Sequence, residues 1–218
     1  HIKLLYIAPE RLDNDSFLKA MAAIHVPLIA IDEAHCISSW GHDFRPSYRS
    51  ISKLLTVWPV TPTIIALTAT ATDEVCKDIR DILQIPSEHS FISGFARSNL
   101  TFSVLTGENR DKYILNYVKT NANQAGIIYC STRKAVEHVY DILTRANILV
   151  GKYHGGMMEE DRTYEQNRFI NDETLVMVAT NAFGMGINKT NVRYVVHYQM
   201  PRNIESYYQE AGRAGRDG

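Results

Sequence analysis

Two adjacent carboxylates, Asp32 and Glu33, follow directly on a short apolar run, Leu28-Ile-Ala-Ile31, which Pro27 bounds on its other side. A continuous run of that length reads as a buried strand of a parallel sheet. Ligands of open α/β sheets lie at the carboxyl ends of strands, which is where the pair falls. An Asp there can hold a magnesium ion that bridges phosphate oxygens, and its neighbouring Glu can orient or deprotonate an attacking water. The other reading is that the pair caps a strand and starts a turn. Trp40, His42, Phe44 and Arg45 come next, stackable rings mixed with a cation. Single-strand binders use that mixture, at about 1–3 kcal/mol per stacked base; alternatively, Trp40 and Phe44 pack into the domain. A nucleotide site beside a polymer-binding segment suggests a nucleotide-driven motor.

The elements that must position these residues fall into two blocks. In the first, the patterns predict strands at Leu4–Ala8, Leu28–Ile31 and Thr63–Leu67, and helices at Tyr48–Val57 and Thr72–Leu83. In the second they predict strands at Thr101–Leu105, Gly126–Tyr129, Val150–Tyr153, Leu175–Ala179 and Val192–Tyr198. Helices are expected there at Lys112–Lys119, Lys134–Thr144, Glu159–Phe169 and Ile204–Ala211. Such alternation implies an α/β fold of parallel sheets with helices on both faces. The pattern breaks near Ser93–Asn99, which divides the chain into domains 1–95 and 96–218.

A second chemical cluster lies near the carboxyl end. Asn203 can cap the helix over Ile204–Ala211. Gln209 and Arg213 are four residues apart and Arg216 is three further on, so one helical face presents all three if the turn continues. Gly212 and Gly215 put that last turn in doubt while permitting close backbone approach. Guanidinium groups can neutralise charge on a transferring phosphoryl group, or simply sit solvated near a helix C-terminus. Thr68 and Thr70, at the end of a predicted strand, either relay nucleotide state through hydroxyl hydrogen bonds or cap the helix that starts near Asp73. His35 either links to them or is a structural buried histidine.

Asp32-Glu-Ala-His35 resembles motif II of superfamily 2 helicases, and Trp40-Gly-His-Asp-Phe-Arg-Pro46 resembles the RecQ family specifically. Tyr6-Ile-Ala-Pro9-Glu-Arg11-Leu12 is similar to motif Ib and Ala66-Leu-Thr68-Ala-Thr70-Ala71 to motif III. Ile127-Ile-Tyr129-Cys-Ser131-Thr132-Arg133 resembles motif IV, and Tyr153-His154-Gly155-Gly156 the short motif after it. Val178-Ala-Thr180-Asn-Ala-Phe-Gly184-Met-Gly186-Ile-Asn188 resembles motif V, and Gln209-Glu-Ala-Gly212-Arg213-Ala-Gly215-Arg216-Asp-Gly218 resembles motif VI. The match spans essentially the whole chain. It implies two RecA-like parallel-sheet domains, the first incomplete at its N-terminus, and a 3′-to-5′ ATP-dependent DNA helicase of recombination and repair.

The same resemblance implies roles. Asp32 would hold Mg2+ through water and Glu33 would activate water for hydrolysis. Arg216 would be the arginine finger and Arg213 a phosphate contact, with His35 and Gln209 also lining the ATP site. His35, Thr68 and Thr70 would couple that site to a DNA path along Pro9, Arg11, Trp40, His42, Phe44, Arg45, Ser131, Thr132, Arg133 and Thr180. Hydroxyls, arginines and amides position phosphates without reading bases, so binding to single-stranded and forked DNA is expected to be sequence-independent and salt-sensitive. No Gly-x-x-x-x-Gly-Lys-Ser/Thr occurs in the chain, so residues 1–218 alone are expected to lack ATP turnover. Lys189 in Gly186-Ile-Asn-Lys-Thr190 is only a superficial echo of that loop. Other readings are a related superfamily 2 RNA helicase and a non-catalytic nucleic-acid-binding fragment.

Composition accommodates this. The 218 residues allow two domains, and 45% hydrophobic residues supply their cores. A net charge of −1 excludes a generally basic coat, leaving phosphate contacts to local patches. The three cysteines, Cys36, Cys76 and Cys130, are widely spaced and form no CxxC pair, so no zinc site or disulfide framework is expected within this chain. They suit reduced thiols of an intracellular protein, in cytoplasm and nucleoid for a bacterium or nucleus for a eukaryote. No transmembrane run is visible. Protein partners are not legible.

Overall fold

A computed structural model describes residues 3–41, 43–94, 97–184 and 187–218. The chain divides into two compact units, His1–Gly94 and Phe95–Gly218.

In the first unit, the elements are α1 (Asp15–Ala22), β1 (Leu28–Ile31), α2 (Ile51–Leu55), β2 (Thr63–Ala66) and α3 (Asp73–Leu83). Strands β1 and β2 pair in parallel, from Leu28 opposite Thr63 to Ile31 opposite Ala66. The ladder runs past both strand ends, with Leu67 N–H donating to Ile31 O at 2.8 Å and Ala34 N–H to Leu67 O at 2.9 Å. Helix α3 starts where the Thr72 hydroxyl accepts from Val75 N–H, with Asp73 and Glu74 in the first turn favourable to the helix dipole. Its buried Val75, Ile79 and Leu83 recur at helical spacing and pack with Leu12, Ile31, Ala34, Ile37 and Leu54.

The second unit contains α4 (Arg110–Thr120), β3 (Ala125–Tyr129), α5 (Arg133–Arg145), β4 (Val150–Tyr153), α6 (Glu159–Ile170), β5 (Val176–Ala179), β6 (Val192–His197) and α7 (Ile204–Ala211). Its sheet has the order β4-β5-β3-β6 with every pairing parallel. Central β3 is buried along its length, and the period-two alternation of a strand splits its side chains between two cores. Ile128 and Cys130 pack with Ile114, Val118, Val136, Val139 and Leu143 from α4 and α5. Ile127 and Tyr129 pack on the other face with Phe169, Phe183 and Ala214. Gly126 is required where β3 meets β6, because a Cβ there would lie 2.0 Å from the Tyr194 ring.

Several expected elements differ. Leu4–Ala8 and Thr101–Leu105 are apolar enough for strands but form none, since among the described residues no ladder partner lies beside either. The helix expected over Tyr48–Val57 is a 3-10 turn, Pro46–Ser50, leading into a single helical stretch, Ile51–Leu55. Thr56 ends it by turning its hydroxyl back to Lys53 O at 2.8 Å. Helix α1 was not expected, although its signal is present: the Asn14 side chain accepts from Phe17 N–H at 3.0 Å.

Lys189 is structural. It is 5% exposed, donates to Asp172 Oδ1 at 2.6 Å and lies 5.2 Å over the Phe169 ring. The bond from Lys189, and then that from Asn191, holds the Asp172 carboxyl below its ordinary pKa. A carboxylate lowered in this way stabilises the fold above its unfolded pKa of about 3.9 and loses that contribution as pH falls through its folded value. Asp172 is half exposed, so Asp172→Asn is expected to cost only about 1–2 kcal/mol at neutral pH. In urea denaturation the gap between wild type and variant should close below about pH 4.

Candidate functional site

Strand β1 delivers Asp32 to the sheet's carboxyl edge, where Asp32 Oδ1 accepts from Glu33 N–H at 2.9 Å. Glu33 adopts φ 49° and ψ 43°, a left-handed conformation costly for a residue with a Cβ. The reversal starts the 3-10 turn Ala34–Ile37 and brings Glu33 Oε2 within 3.3 Å of His35 Nδ1. His35 is 3% exposed. Its Nδ1 lies 3.0 Å from Thr68 Oγ1, whose hydroxyl donates to Thr70 O at 3.0 Å. With that hydroxyl proton committed to Thr70, Nδ1 must carry the donating proton. A continuous polar path therefore joins Glu33 to Thr70. Helix α3 is capped by Thr72, so Thr68 and Thr70 do not cap it.

The segment after this turn is held from below. Buried Ser38 donates to Asp78 Oδ2 on α3 at 2.7 Å and accepts from Trp40 N–H at 3.1 Å. Gly41 passes so near the backbone that a Cβ would lie 2.3 Å from His35 O. Trp40, by contrast, is 75% exposed, so it does not pack into the core. Phe44 is half-buried under the Arg49 guanidinium, and Arg45 pairs with Asp43 at 2.8 Å. His42 lies outside the described residues. The donor atoms of His35, Cys36 and Asp43 lie within 4.8 Å of one another, a set able to hold a metal. Burial and then Asp43 push the Cys36 thiol up to about 11, which suits a protonated donor to that carboxylate. Pro9 and Arg11 belong to the turn Pro9–Asp13, which is tied to Pro46–Ser50 by the bonds Ser47–Glu10 and Ser50–Asp13.

In the second unit, a hydroxyl-rich and basic group gathers at the strands' carboxyl ends. The Thr132 side chain caps α5 by accepting from Ala135 N–H at 3.1 Å, and Arg133 begins the helix. Ser131 N–H donates to Gln199 Oε1 at 2.9 Å. Gly156 comes close enough to Arg133 that a Cβ would lie 3.1 Å from its side chain. His154 Nδ1 accepts from Gly156 N–H at 3.1 Å, so the proton facing Glu137 at 2.8 Å is on Nε2. Thr180 closes β5, and its N–H donates to Tyr153 O at 3.1 Å.

The arginine cluster does not form as a helix face. Asn203 caps α7 as expected, accepting from Ser206 N–H at 2.8 Å, but the helix stops at Ala211. Gln209 therefore stays on the helix while Arg213 and Arg216 sit on the loop behind it. Arg213 Nη1 donates to Gly184 O at 2.6 Å and Arg216 Nη1 to Ile187 O at 3.3 Å. Among the described residues, buried Arg213 Nε has no partner. Burial first, then the charges of Arg213 and Arg97, pull the Arg216 pKa below its ordinary value. Three guanidiniums thus share one neighbourhood, a field suited to an anion. Arg97 was missed in the sequence because its partners lie more than a hundred residues away.

Two family models match the chain: DEAD/DEAH box helicase over residues 1–79 and helicase conserved C-terminal domain over residues 109–218. The chain is 56% identical over 216 residues to the ATP-dependent DNA helicase RecQ of Bacillus subtilis, covering 99% of this chain and 36% of that protein. A putative ATP-dependent RNA helicase of Acanthamoeba polyphaga mimivirus is 46% identical over 219 residues, covering 99% and 40%. The chain thus spans little more than a third of the length of such curated relatives. Among solved structures, S. cerevisiae Dbp5 bound to RNA and ADP BeF3 superposes with a TM-score of 0.70 at 18% identity, over 88% of this chain and 50% of that one. That likeness shows the fold, an α/β arrangement of RecA-like type.

The packing of Arg213 on Gly184 can be tested by stability. A Cβ on Gly184 would lie 2.2 Å from Arg213 Nη2, so Gly184→Ala is expected to cost about 1–3 kcal/mol in urea denaturation. Introducing Arg213→Ala as well should remove the part of that cost due to the clash and leave the part due to the backbone, since Gly184 has φ +158°, which strains any side chain. An undiminished cost in the double variant would place the clash elsewhere.

Proposed function

This chain belongs to the helicase family that carries the conserved C-terminal domain, in its RecQ branch, and on that basis we propose that it is part of the motor core of an ATP-dependent 3′-to-5′ DNA helicase acting in recombination and repair. Asp32 and Glu33 of the first unit, and Arg213 and Arg216 of the second, would be the residues that handle ATP. Oxygen donors such as Asp32 suit magnesium, and among the described residues Asp32 Oδ2 has no hydrogen-bond donor while Oδ1 holds the Glu33 amide. When bound, Mg2+ would neutralise charge on the phosphate oxygens. Glu33 orients and deprotonates the attacking water. Arg213 and Arg216 stabilise negative charge on the phosphoryl group, Arg216 as the finger.

One observation carries the reading: the Glu33–His35–Thr68–Thr70 path begins five residues before Ser38, the side chain that braces exposed Trp40. His35 also accepts from Ser38 N–H through its carbonyl at 3.2 Å, so a change at the carboxylates would reach the stacking segment through bonded groups. Single-stranded and forked DNA are the proposed substrates, with backbone contacts from Pro9, Arg11, Ser131, Thr132, Arg133 and Thr180. Similarity to the mimivirus putative RNA helicase supports RNA as the second reading.

In the full-length protein, Asp32→Asn should lower ATP turnover by at least about 10³-fold, the scale of losing a principal charge-stabilising group. Trp40→Ala should weaken single-strand binding by about 1–3 kcal/mol and depress DNA-stimulated turnover; unchanged stimulation removes the coupling role. Stronger stimulation by single-stranded RNA than by DNA would favour the second reading. Residues 1–218 alone should show negligible turnover, and a robust DNA-stimulated rate from them would refute that.

A further inference from the structure

Helix α7 ends at Ala211. Local bonds hold the amides just behind it, with Gly212 N–H donating to Tyr208 O at 2.8 Å, Arg213 N–H to Glu210 O at 3.3 Å and Ala214 N–H to Ala211 O at 3.1 Å. The carbonyls of Gly212 and Gly215 are held by a short segment far away in sequence. Arg97 Nη1 donates to Gly212 O at 3.2 Å, and Nη2 donates to Gly215 O. Asn99 Nδ2 donates to the same Gly215 oxygen at 2.8 Å. Leu100 N–H closes a turn onto Arg97 O at 3.1 Å, and its side chain packs on the cluster that contains Ala214. From the other side, Gly215 N–H donates to Val192 O at 2.8 Å. The fit is close: Gly215 has φ +61°, and a Cβ there would lie 2.7 Å from Asn99 Nδ2.

One guanidinium therefore grips both ends of the span 212–215. Arg213 lies inside that span and Arg216 immediately after it. The planar fork of arginine can donate to two carbonyls at once, and a lysine ammonium on a flexible stem cannot reproduce that geometry. Hydrogen bonds from a charged donor are the stronger kind.

We infer that Arg97, with Asn99 as its second anchor, is a positioning residue that holds the loop carrying Arg213 and Arg216 in the conformation that presents both guanidiniums to phosphate. The inference rests on the assignment of those arginines to ATP under the proposed function. Its energetic logic is orientation: a misplacement of about 1 Å in a catalytic group can cost about 10²-fold in rate.

The test is DNA-stimulated ATP hydrolysis by the full-length protein, with melting temperature measured alongside. Arg97→Ala should lower kcat about tenfold while KM for ATP stays within about twofold. Arg97→Lys should recover only part of that loss, and Asn99→Ala should give a smaller loss. Arg216→Ala should lower kcat by about 10³-fold, and in a background carrying both Arg213→Ala and Arg216→Ala, adding Arg97→Ala should change it by less than about twofold, because residues acting as a unit are not additive. Unchanged kcat in Arg97→Ala, or losses that simply multiply, would overturn the inference while leaving the parent reading standing. Wild-type turnover in Arg216→Ala would overturn the parent assignment and the inference with it.

Discussion

Two backbone hydrogen bonds beyond the ends of β1 and β2 set the geometry of the first unit's site. Leu67 N–H to Ile31 O and Ala34 N–H to Leu67 O continue the parallel ladder where the side chains change from apolar to polar. They place the Asp32–His35 turn beside Thr68 and Thr70 at hydrogen-bonding range. Without that register the buried His35 imidazole would lose its bond to Thr68, leaving it partners only from its own turn. With it, the imidazole becomes a link between a carboxylate and the next strand's hydroxyls. The left-handed Glu33 follows from the same constraint, since the chain must reverse within one residue to keep Ala34 on the ladder.

The second unit solves a different problem with the same architecture. Its four-stranded parallel sheet is covered on both faces, so polar side chains are displaced to the carboxyl ends of its strands. Ser131, His154 and Thr180 each follow a strand there. The arginine loop is a second consequence. Ala214 is buried in the core beside Phe183, which leaves the flanking Arg213 and Arg216 to find backbone carbonyls at Gly184 and Ile187. Such contacts give cations partners that carry no full negative charge. The loop thus keeps a positive field for an anionic ligand.

Much of this was legible in the order of residue types. The apolar run Leu28–Ile31 ending in two carboxylates reads directly as a strand edge, and the structure gives β1 those bounds, but of its residues only Ile31 is buried, so the expected buried strand forms only at that end. Asn203 ahead of Ile204 is a local capping signal, and local signals survive folding because both partners lie within one turn. Leu4–Ala8 and Thr101–Leu105 mark the limit: apolar alternation states that a segment suits a sheet, not that a neighbouring strand is there to pair with it. The expected helical alignment of Gln209, Arg213 and Arg216 met the same limit. Gly212 ends the helix, and the arginines reach their positions through contacts with distant carbonyls.

The family, the α/β alternation and the residue types able to handle metal, water, phosphate and stacked bases are written in the order of residues, because short strings and near-neighbour spacings carry them. Which of those residues share a bond was set by folding. It joined His35 to Thr68, set Lys189 on Asp172, left Trp40 exposed, and brought Arg97 to the carbonyls of Gly212 and Gly215. Each of those outcomes depends on groups remote in sequence, and remote pairing is set by sheet register and core packing, which local patterns do not encode.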